Sequence, residues 1–292
     1  MTIRHLEIFV TVVDCGKMSR AAEKLYITQP SVSQAIRELE DYYGVRLFER
    51  LSKQLYLTDE GRTLLSYARY IVDSFEDMEL TMKNRGSIGR LRIGASVSVG
   101  TCLLGEQLNC LEAKLPGIET EITVCNTSVI EEMVLKSELD VGLVEGFVDS
   151  GDIVRIPFYE DELVIVVGRS HPLYGQKNLT LFCLNGQNYI SRETGSAEKN
   201  QLEQMLNVKE MNLKRIWSCT NTEAIKNAVM EGRGFAILSR MIVKKEAAEG
   251  SLQIILEENS MKRDIQLIYH KDKYLSEGLK TFLDICRNQN TR

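Results

Sequence analysis

Apolar side chains at Leu6, Phe9, Val10 and Val13 recur at i, i+3, i+4 and i+7, the spacing that lines one face of an α-helix. Gly16 predicts where that helix ends. Met18, Ala21, Ala22 and Leu25 repeat the spacing, with Arg20, Glu23 and Lys24 left outside. After a short turn at Tyr26-Ile27, Thr28 is a suitable N-cap and Pro30 falls in the first turn, where a missing N–H costs nothing. Val32, Ala35, Ile36 and Leu39 then predict a third helix, and three such helices make a compact trihelical unit. The runs Val45 to Arg50 and Leu55 to Thr58 flank the tip Leu51-Ser52-Lys53-Gln54 and predict a β-hairpin.

A longer pattern follows. Thr58 is placed to cap a helix whose first turn holds Asp59 and Glu60, acids that favour the positive end of the dipole. Leu64, Ala68, Ile71, Phe75, Met78 and Met82 then alternate in steps of four and three, the seam of a coiled coil. A helix of this length projects ~40 Å, too far for one small domain, so it predicts dimerisation rather than packing on its own domain. Gly86 and Gly89 end it and supply a hinge.

From Leu91 onward the period alternates between strand and helix. Strands are expected at 91–94, 121–124 and 141–144, with helices at about 98–114 and 129–136 between them. That order predicts a parallel sheet covered by helices. Leu163 to Val167 opens a comparable second lobe, continuing through Tyr189-Ile190, helices near 198–206 and 223–231, and a strand at 235–238. The segment 265–270 and a last helix, 277–287, return to the first lobe. The predicted class is α+β multidomain. Residues 1–58 form a winged helix-turn-helix, 59–89 a linker helix and hinge, and 90–292 a two-lobed α/β domain. Lobe I is drawn from about 90–160 and 265–292, and lobe II from about 161–264.

Charge changes this picture only when it is divided. The 292 residues hold 36 Lys+Arg against 41 Asp+Glu, a net −5 that by itself speaks against a nucleic-acid partner. Residues 1–90 carry 13 bases and 13 acids, so 23 bases and 28 acids, the whole excess, fall in 91–292. Within the neutral head, bases gather at Lys17, Arg20, Lys24 and Arg37, and again at Arg46, Arg50 and Lys53, two patches suited to phosphates. The longest aliphatic stretch, Leu163 to Val167, is far below the ~20 apolar residues that span a bilayer, so no membrane partner is expected. The start MTIRHLEIFV is unlike a secretory signal, and seven cysteines without a CxxC pair suit a reduced, cytoplasmic chain.

The third helix has a second face of interest. Pro30, Ser33, Gln34 and Arg37 share one arc opposite the apolar stripe, small or flat residues that fit a major groove. Gln29 sits at the helix N-terminus with Thr28 and Ser31 beside it. With Arg20 from the second helix and Arg50 and Lys53 from the hairpin, these are the candidate DNA-binding residues. In the α/β domain, ligands belong at the carboxyl ends of strands, between lobes. The candidates there are Ser96, Ser98, Asn126 and Thr127 from one lobe and Arg192, Glu193, Ser196 and Asn221 from the other. Hydroxyls, amides and helix N-terminal N–H groups suit a small effector, with an anion the expected class. Each residue taken singly is equally well explained as a helix cap.

The stretch AAEKLYITQPSVSQAIRELEDYYGVRLFERLSKQLYLTDEG resembles the DNA-binding domain of the LysR-type transcriptional regulators. The likeness runs from Leu6 to Gly61, and the later domain resembles the same family's periplasmic-binding-protein-like effector domain. It implies a regulator that binds double-stranded DNA as a dimer or tetramer, responds to a small molecule between its lobes, and recruits RNA polymerase. Three features depart from the common pattern: Gln34 follows Ser33 where many members have a base, the wing tip has one base, Lys53, where two or more are common, and the loop Gly195-Ser196-Ala197-Glu198-Lys199 replaces Gly-Ser-Gly-Thr-Arg.

The competing reading is an α/β ligand-binding protein or enzyme whose N-terminal helices only dimerise it. Ser196-Ala197-Glu198-Lys199 fits S-x-x-K, but neither S-D-N nor K-T-G accompanies it. Gly232-Arg233-Gly234 precedes a strand instead of following one, unlike a dinucleotide fingerprint. His5, His171 and His270 lack metal-site spacing. Cys102 and Cys110 lie ~12 Å apart along one expected helix, too far to bridge. The sequence therefore predicts no catalysis, no metal and no cofactor.

Overall fold

The computed structural model describes residues 1–51, 54–83, 89–146, 148, 150–177, 179–196, 213–256 and 262–288. The chain divides into two compact units. One comprises Met1–Arg90, Gly117–Glu119 and His270–Lys280; the other comprises Leu91–Pro116, Thr120–Tyr269 and Thr281–Arg292.

In the first unit, helices α1 (Ile3–Cys15), α2 (Met18–Lys24) and α3 (Gln29–Tyr43) precede strands β1 (Phe48–Leu51) and β2 (Gln54–Leu57) and helix α4 (Asp59–Lys83). The apolar stripes meet as their spacing predicts: Leu6, Phe9, Val12, Ala21, Ala22, Val32, Ile36 and Leu39 are buried together. Phe48 from the hairpin closes this core edge-on against Phe9, with ring centroids 5.5 Å apart. Gly16 and Gly44 end α1 and α3 in the left-handed conformation that a residue without Cβ adopts freely. The hairpin is antiparallel, pairing Phe48 with Leu57 and Leu51 with Gln54. Thr58 caps α4 by accepting from Gly61 N at 2.9 Å. At Gly61 the helix meets the hairpin so closely that a Cβ would lie 2.2 Å from Leu47 O. Further along α4, Asp73 pairs with Lys273 at 2.6 Å, and Tyr70 meets Tyr274 edge-on at 5.6 Å.

The second unit is built on a mixed sheet with strand order β10 (Leu252–Leu256), β6 (Ile153–Gly168), β11 (Lys262–His270), β5 (Val141–Glu145), β3 (Arg90–Ser96) and β4 (Glu119–Cys125), to which β9 (Ala236–Ser239) adds on β6. Its first strands are β3 (Arg90–Ser96), β4 (Glu119–Cys125) and β5 (Val141–Glu145), with helices α5 (Val97–Cys102), α6 (Leu104–Lys114) and α7 (Thr127–Leu135) between them. The single helix expected at 98–114 is therefore two, broken at Leu103, and Cys102 and Cys110 lie on different helices. Strand β6 (Ile153–Gly168) runs for 16 residues and contains the expected 160/161 lobe boundary. The second lobe adds β7 (Asn188–Arg192), β8 (Lys214–Cys219), α8 (Thr222–Met230), β9 (Ala236–Ser239), α9 (Arg240–Ala248) and β10 (Leu252–Leu256). The helix expected near 198–206 lies outside the described residues.

The sheet is not the purely parallel one that the βαβ order predicts. Strands β3 and β5 are parallel, and β7 and β8 form a separate parallel pair. By contrast, β11 (Lys262–His270) runs antiparallel to β5, and β9 and β10 run antiparallel to β6. The physical reason is the return of the chain: after the second lobe, β11 comes back beside β5, with Ile265 opposite Glu145, and α10 (Glu277–Asn288) follows it. Both central strands are buried on both faces. Val141 to Val144 is Val-Gly-Leu-Val, and Leu163 to Val167 is at most 1% exposed throughout. Among the described residues, no helix is long and apolar enough to cross a membrane, and no group of three or more His, Cys, Asp or Glu is placed to hold a metal.

Candidate functional site

Two surfaces carry the candidate residues, one in each unit. On the first, Thr28 begins α3 with its Oγ1 accepting from Ser31 N at 3.3 Å, and Pro30 lies in the opening turn. Arg20, Thr28, Gln29, Pro30, Ser31, Gln34 and Arg37 are all exposed, and Ser33 is half-buried. The polar face is internally bonded: Gln29 Nε2 donates to Ser33 Oγ at 2.7 Å, and Ser33 donates to Met18 Sδ at 3.3 Å. Gln34 Nε2 donates to Glu38 Oε1 at 2.9 Å.

Glu40, which the sequence reading passed over, fixes the hairpin to this helix. Its buried carboxylate accepts from Leu47 N at 2.8 Å and from Arg46 Nη1 at 2.9 Å. A crevice of about 360 Å³ lies between helix and hairpin, lined by residues that include Ser33, Arg37, Arg46 and Glu49. Arg50 is in β1, but its side chain and the whole of Lys53 lie outside the described residues.

The expected dimer seam on α4 divides in two. Ala68 is fully buried in the core of its own domain, and Leu64 packs against that core from the same side. Ala68 is thus not offered to a partner, a correction that follows from the packing of α4 against α1. Beyond it Ile71, Met78 and Met82 are exposed by 43%, 51% and 75%, and Phe75 is half-buried. An apolar groove of about 620 Å³ runs beside this face, lined by Leu6, Tyr43, Leu64, Tyr67, Ile71 and others.

In the second unit the strand ends converge as parallel strands dictate. Ser96 ends β3 and donates its hydroxyl to Glu145, which ends β5. Thr127, in the first turn of α7, donates from Oγ1 to Glu145 O at 3.1 Å. Ser96, Ser98 and Thr127 are all buried. Asn126 caps α7, its Oδ1 accepting from Val129 N at 3.1 Å and from Ser128 Oγ at 2.9 Å. Asn221 does the same for α8, accepting from Glu223 N at 2.9 Å and Ala224 N at 3.2 Å.

Across from lobe I, β7 ends at Arg192, whose buried guanidinium bonds Glu193 at 2.9 Å. Ser196, also buried, donates to Glu193 O at 3.0 Å. Gly195 between them has φ +90°, and a Cβ there would lie 2.6 Å from Ser128 Oγ. The loop of lobe II therefore approaches the first turn of α7 in lobe I at a glycine whose positive φ disfavours any side chain. Parallel pairing of Arg192 with Cys219 sets Asn221 beside the same end of the β7–β8 pair.

Sequence reasoning missed a group of buried charges on the strands beside Glu145. Arg263, at the start of β11, pairs with Asp161 of β6 through Nη2 at 2.8 Å and faces Glu145 at 3.8 Å. Ser239 Oγ donates to Asp161 Oδ1 at 2.8 Å. All four are buried, and burial of charge is tolerated only with such pairing. The available signal was Asp161-Glu162 directly before the aliphatic run. Nearby on the same lobe, Lys226 of α8 bridges Glu223 and Glu246, each at 2.6 Å. Burial opposes the charge on Glu246, but the Lys226 hydrogen bond and its neighbours outweigh it and hold that carboxyl below its ordinary value.

Comparison with known proteins agrees with this arrangement. Residues 3–62 match the bacterial regulatory helix-turn-helix protein, lysR family, and residues 84–291 match the LysR substrate binding domain. The chain is 31% identical over 291 residues to the HTH-type transcriptional regulator YeiE of Escherichia coli, covering 99% of this chain and 98% of that one. A full-length OxyR variant from Pseudomonas aeruginosa superposes with a TM-score of 0.69 at 20% identity, covering 98% of this chain and 95% of that one. The Synechocystis CcmR regulatory domain in complex with 2-PG superposes with a TM-score of 0.64 at 28% identity, covering 68% and 96%. The two family models together, and the full-length YeiE and OxyR matches, span both units, whereas the CcmR match covers the regulatory domain alone. The chain belongs to the LysR family of helix-turn-helix transcriptional regulators.

Proposed function

We propose that α3 reads the major groove through Gln29, Pro30, Ser33, Gln34 and Arg37, while Arg20, Thr28 and Ser31 and the hairpin residues Arg50 and Lys53 hold the phosphate backbone. The observation that supports this is the exposed, bulk-free polar face of α3, braced by Glu40 against the wing. Two such heads pair through the exposed half of the α4 seam, Ile71, Phe75, Met78 and Met82, so that a dimer meets two half-sites. Binding falls steeply with salt as phosphate counterions are released. Gln34→Ala or Arg37→Ala removes sequence preference while retaining non-specific affinity; unchanged preference in both variants sinks the assignment.

The effector site is the interlobe cleft, formed by Ser96, Ser98, Asn126 and Thr127 opposite Arg192, Glu193, Ser196 and Asn221. It is supported by the contact of Gly195 with Ser128, which makes the lobe-to-lobe spacing sensitive to whatever lies between them. The CcmR domain, caught with 2-PG, is one regulatory domain of this shape holding a small molecule, and a small anion is the class to test first. Ligand-dependent thermal shift over a metabolite panel tests the cleft, and a shift unaffected by Ser96→Ala with Thr127→Ala counts against it. The same reading places the protein in the cytoplasm, joining dimers into tetramers and engaging RNA polymerase, with the boundaries 1–58, 59–89 and 90–292 separating reading, pairing and sensing.

A further inference from the structure

Gln34 does not reach the groove with its full hydrogen-bonding capacity. One turn along α3, Glu38 Oε1 accepts from Gln34 Nε2 at 2.9 Å. A carboxylate can only accept, so chemistry alone dictates which end of the Gln34 amide faces Glu38. Glu38 is held in turn from α1, its Oε2 lying 2.8 Å from His5 Nε2. On the other side of that ring, Nδ1 lies 2.7 Å from Thr2 Oγ1 and 3.2 Å from Thr2 N, which ties the ring to the start of α1. Because the Glu38 carboxylate can only accept, Nε2 is the ring nitrogen that carries the proton toward it. Hydrogen bonds from His5, and next from Gln34, keep the Glu38 carboxyl below its ordinary value, so it remains an acceptor through the neutral range.

A glutamine amide has two N–H donors and one carbonyl acceptor. With one N–H committed to Glu38, Gln34 presents one donor and one acceptor. In the major groove adenine offers an acceptor, N7, beside a donor, N6–H, and so matches that pair. Guanine offers two acceptors, N7 and O6, and a glutamine can serve both only with two free N–H groups. We propose that His5 and Glu38 are positioning residues for DNA recognition, restricting Gln34 to adenine over guanine at the base pair it meets. This rests on the placement of Gln34 in the major groove argued above. The chain from α1 to the reading face makes base preference depend on a histidine outside the recognition helix.

The experiment uses the full-length protein and a pool of randomised DNA duplexes. Selection with the wild type and with Gln34→Ala identifies the position at which preference depends on Gln34. Affinity is then measured for the selected duplex carrying A or G at that position. Wild type is expected to favour A by roughly 10-fold, within the range for one bidentate contact. Glu38→Ala and His5→Ala are expected to lower that ratio toward 1, while their affinity for an unrelated duplex stays within about twofold. Since Glu38 is exposed, its variant keeps the test open even if loss of His5 weakens α1. No position responding to Gln34→Ala overturns the groove reading itself. A responding position that favours guanine, or an A-to-G ratio untouched in both Glu38→Ala and His5→Ala, overturns the positioning role and leaves the groove reading standing.

Discussion

Replacing Arg263 by Met removes the positive charge that Asp161 and Glu145 share. At separations of 2.8 and 3.8 Å and an effective dielectric of about 20, the attractions lost are about 6 and about 4 kcal/mol before any solvation is counted. Returning a guanidinium to water offsets several kcal/mol of that, and methionine fills much of the vacated volume. What remains is the cost of leaving two carboxylates buried without a counter-charge, about 3–5 kcal/mol by the usual consequence of breaking such a pair. At about 2–4 °C per kcal/mol for a domain of this size, the melting temperature falls by ~6–20 °C. The single tryptophan, Trp217, lies in β8 and reports unfolding of this unit by fluorescence without interference from the head. A second variant, Arg263→Met with Asp161→Asn and Glu145→Gln, removes the stranded charges and recovers at least half of the loss. A change below about 1 kcal/mol in Arg263→Met, or no recovery in the triple variant, refutes the electrostatic account and leaves only packing.

Further expectations concern the other contacts. Lys226→Met strands the largely buried Glu246 and costs about 1–3 kcal/mol at neutral pH. Its pH profile follows from the signs: Glu246 is depressed and Lys226 raised, so the pair stabilises fully between the ordinary values of 4.5 and 10.5. The difference between wild type and variant then fades as pH falls through the lowered Glu246 value or rises through the raised Lys226 value; a pH-independent difference in melting temperature contradicts this. Gly195→Ala forces a side chain onto Ser128 at a φ of +90°, which costs about 1–3 kcal/mol and abolishes any ligand-induced thermal shift measured in parallel. Ile71→Asp, on the exposed half of α4, is expected to weaken self-association at least 10-fold in sedimentation equilibrium without lowering the melting temperature of the head, and an unchanged assembly removes Ile71 from the interface.

The head was readable because its elements are local. Each helix declares its buried stripe within one or two turns, and Thr28, Gly16 and Gly44 mark ends that depend only on neighbouring residues. The α4 seam was half readable: its heptad spacing is real, but spacing does not say whether Ala68 meets a partner or α1, and the fold assigns it to α1. In the sensing unit, strands with an aliphatic run were visible. Strand β8 was not, because Lys214 to Ser218 is exposed throughout and shows neither alternation nor a run. Strand β11 was seen but not its direction, since antiparallel pairing of Ile265 with Glu145 joins residues 120 positions apart. The meeting of Ser96, Thr127 and Glu145 at the strand ends was foreshadowed by strand-end chemistry, whereas the buried charge group needed Asp161, Glu145 and Arg263 brought together from three strands far apart in sequence.

That same return of the chain has a consequence for biosynthesis. The helices and hairpin of the reading head are complete in the first 83 residues, and their contacts can form while the rest of the protein is still being translated. Lobe I cannot follow in order. Strand β5 waits for β11, and the long strand β6 waits for β9, β10 and β11 on its flanks. Neither lobe is a self-sufficient folding unit, because they share β6 and are closed by the last strand to be made. A message cut short between about codon 90 and codon 270 therefore releases a folded head attached to an unfinished sensor. Premature termination or proteolysis within the sensing unit leaves a molecule built to engage DNA and deaf to its signal.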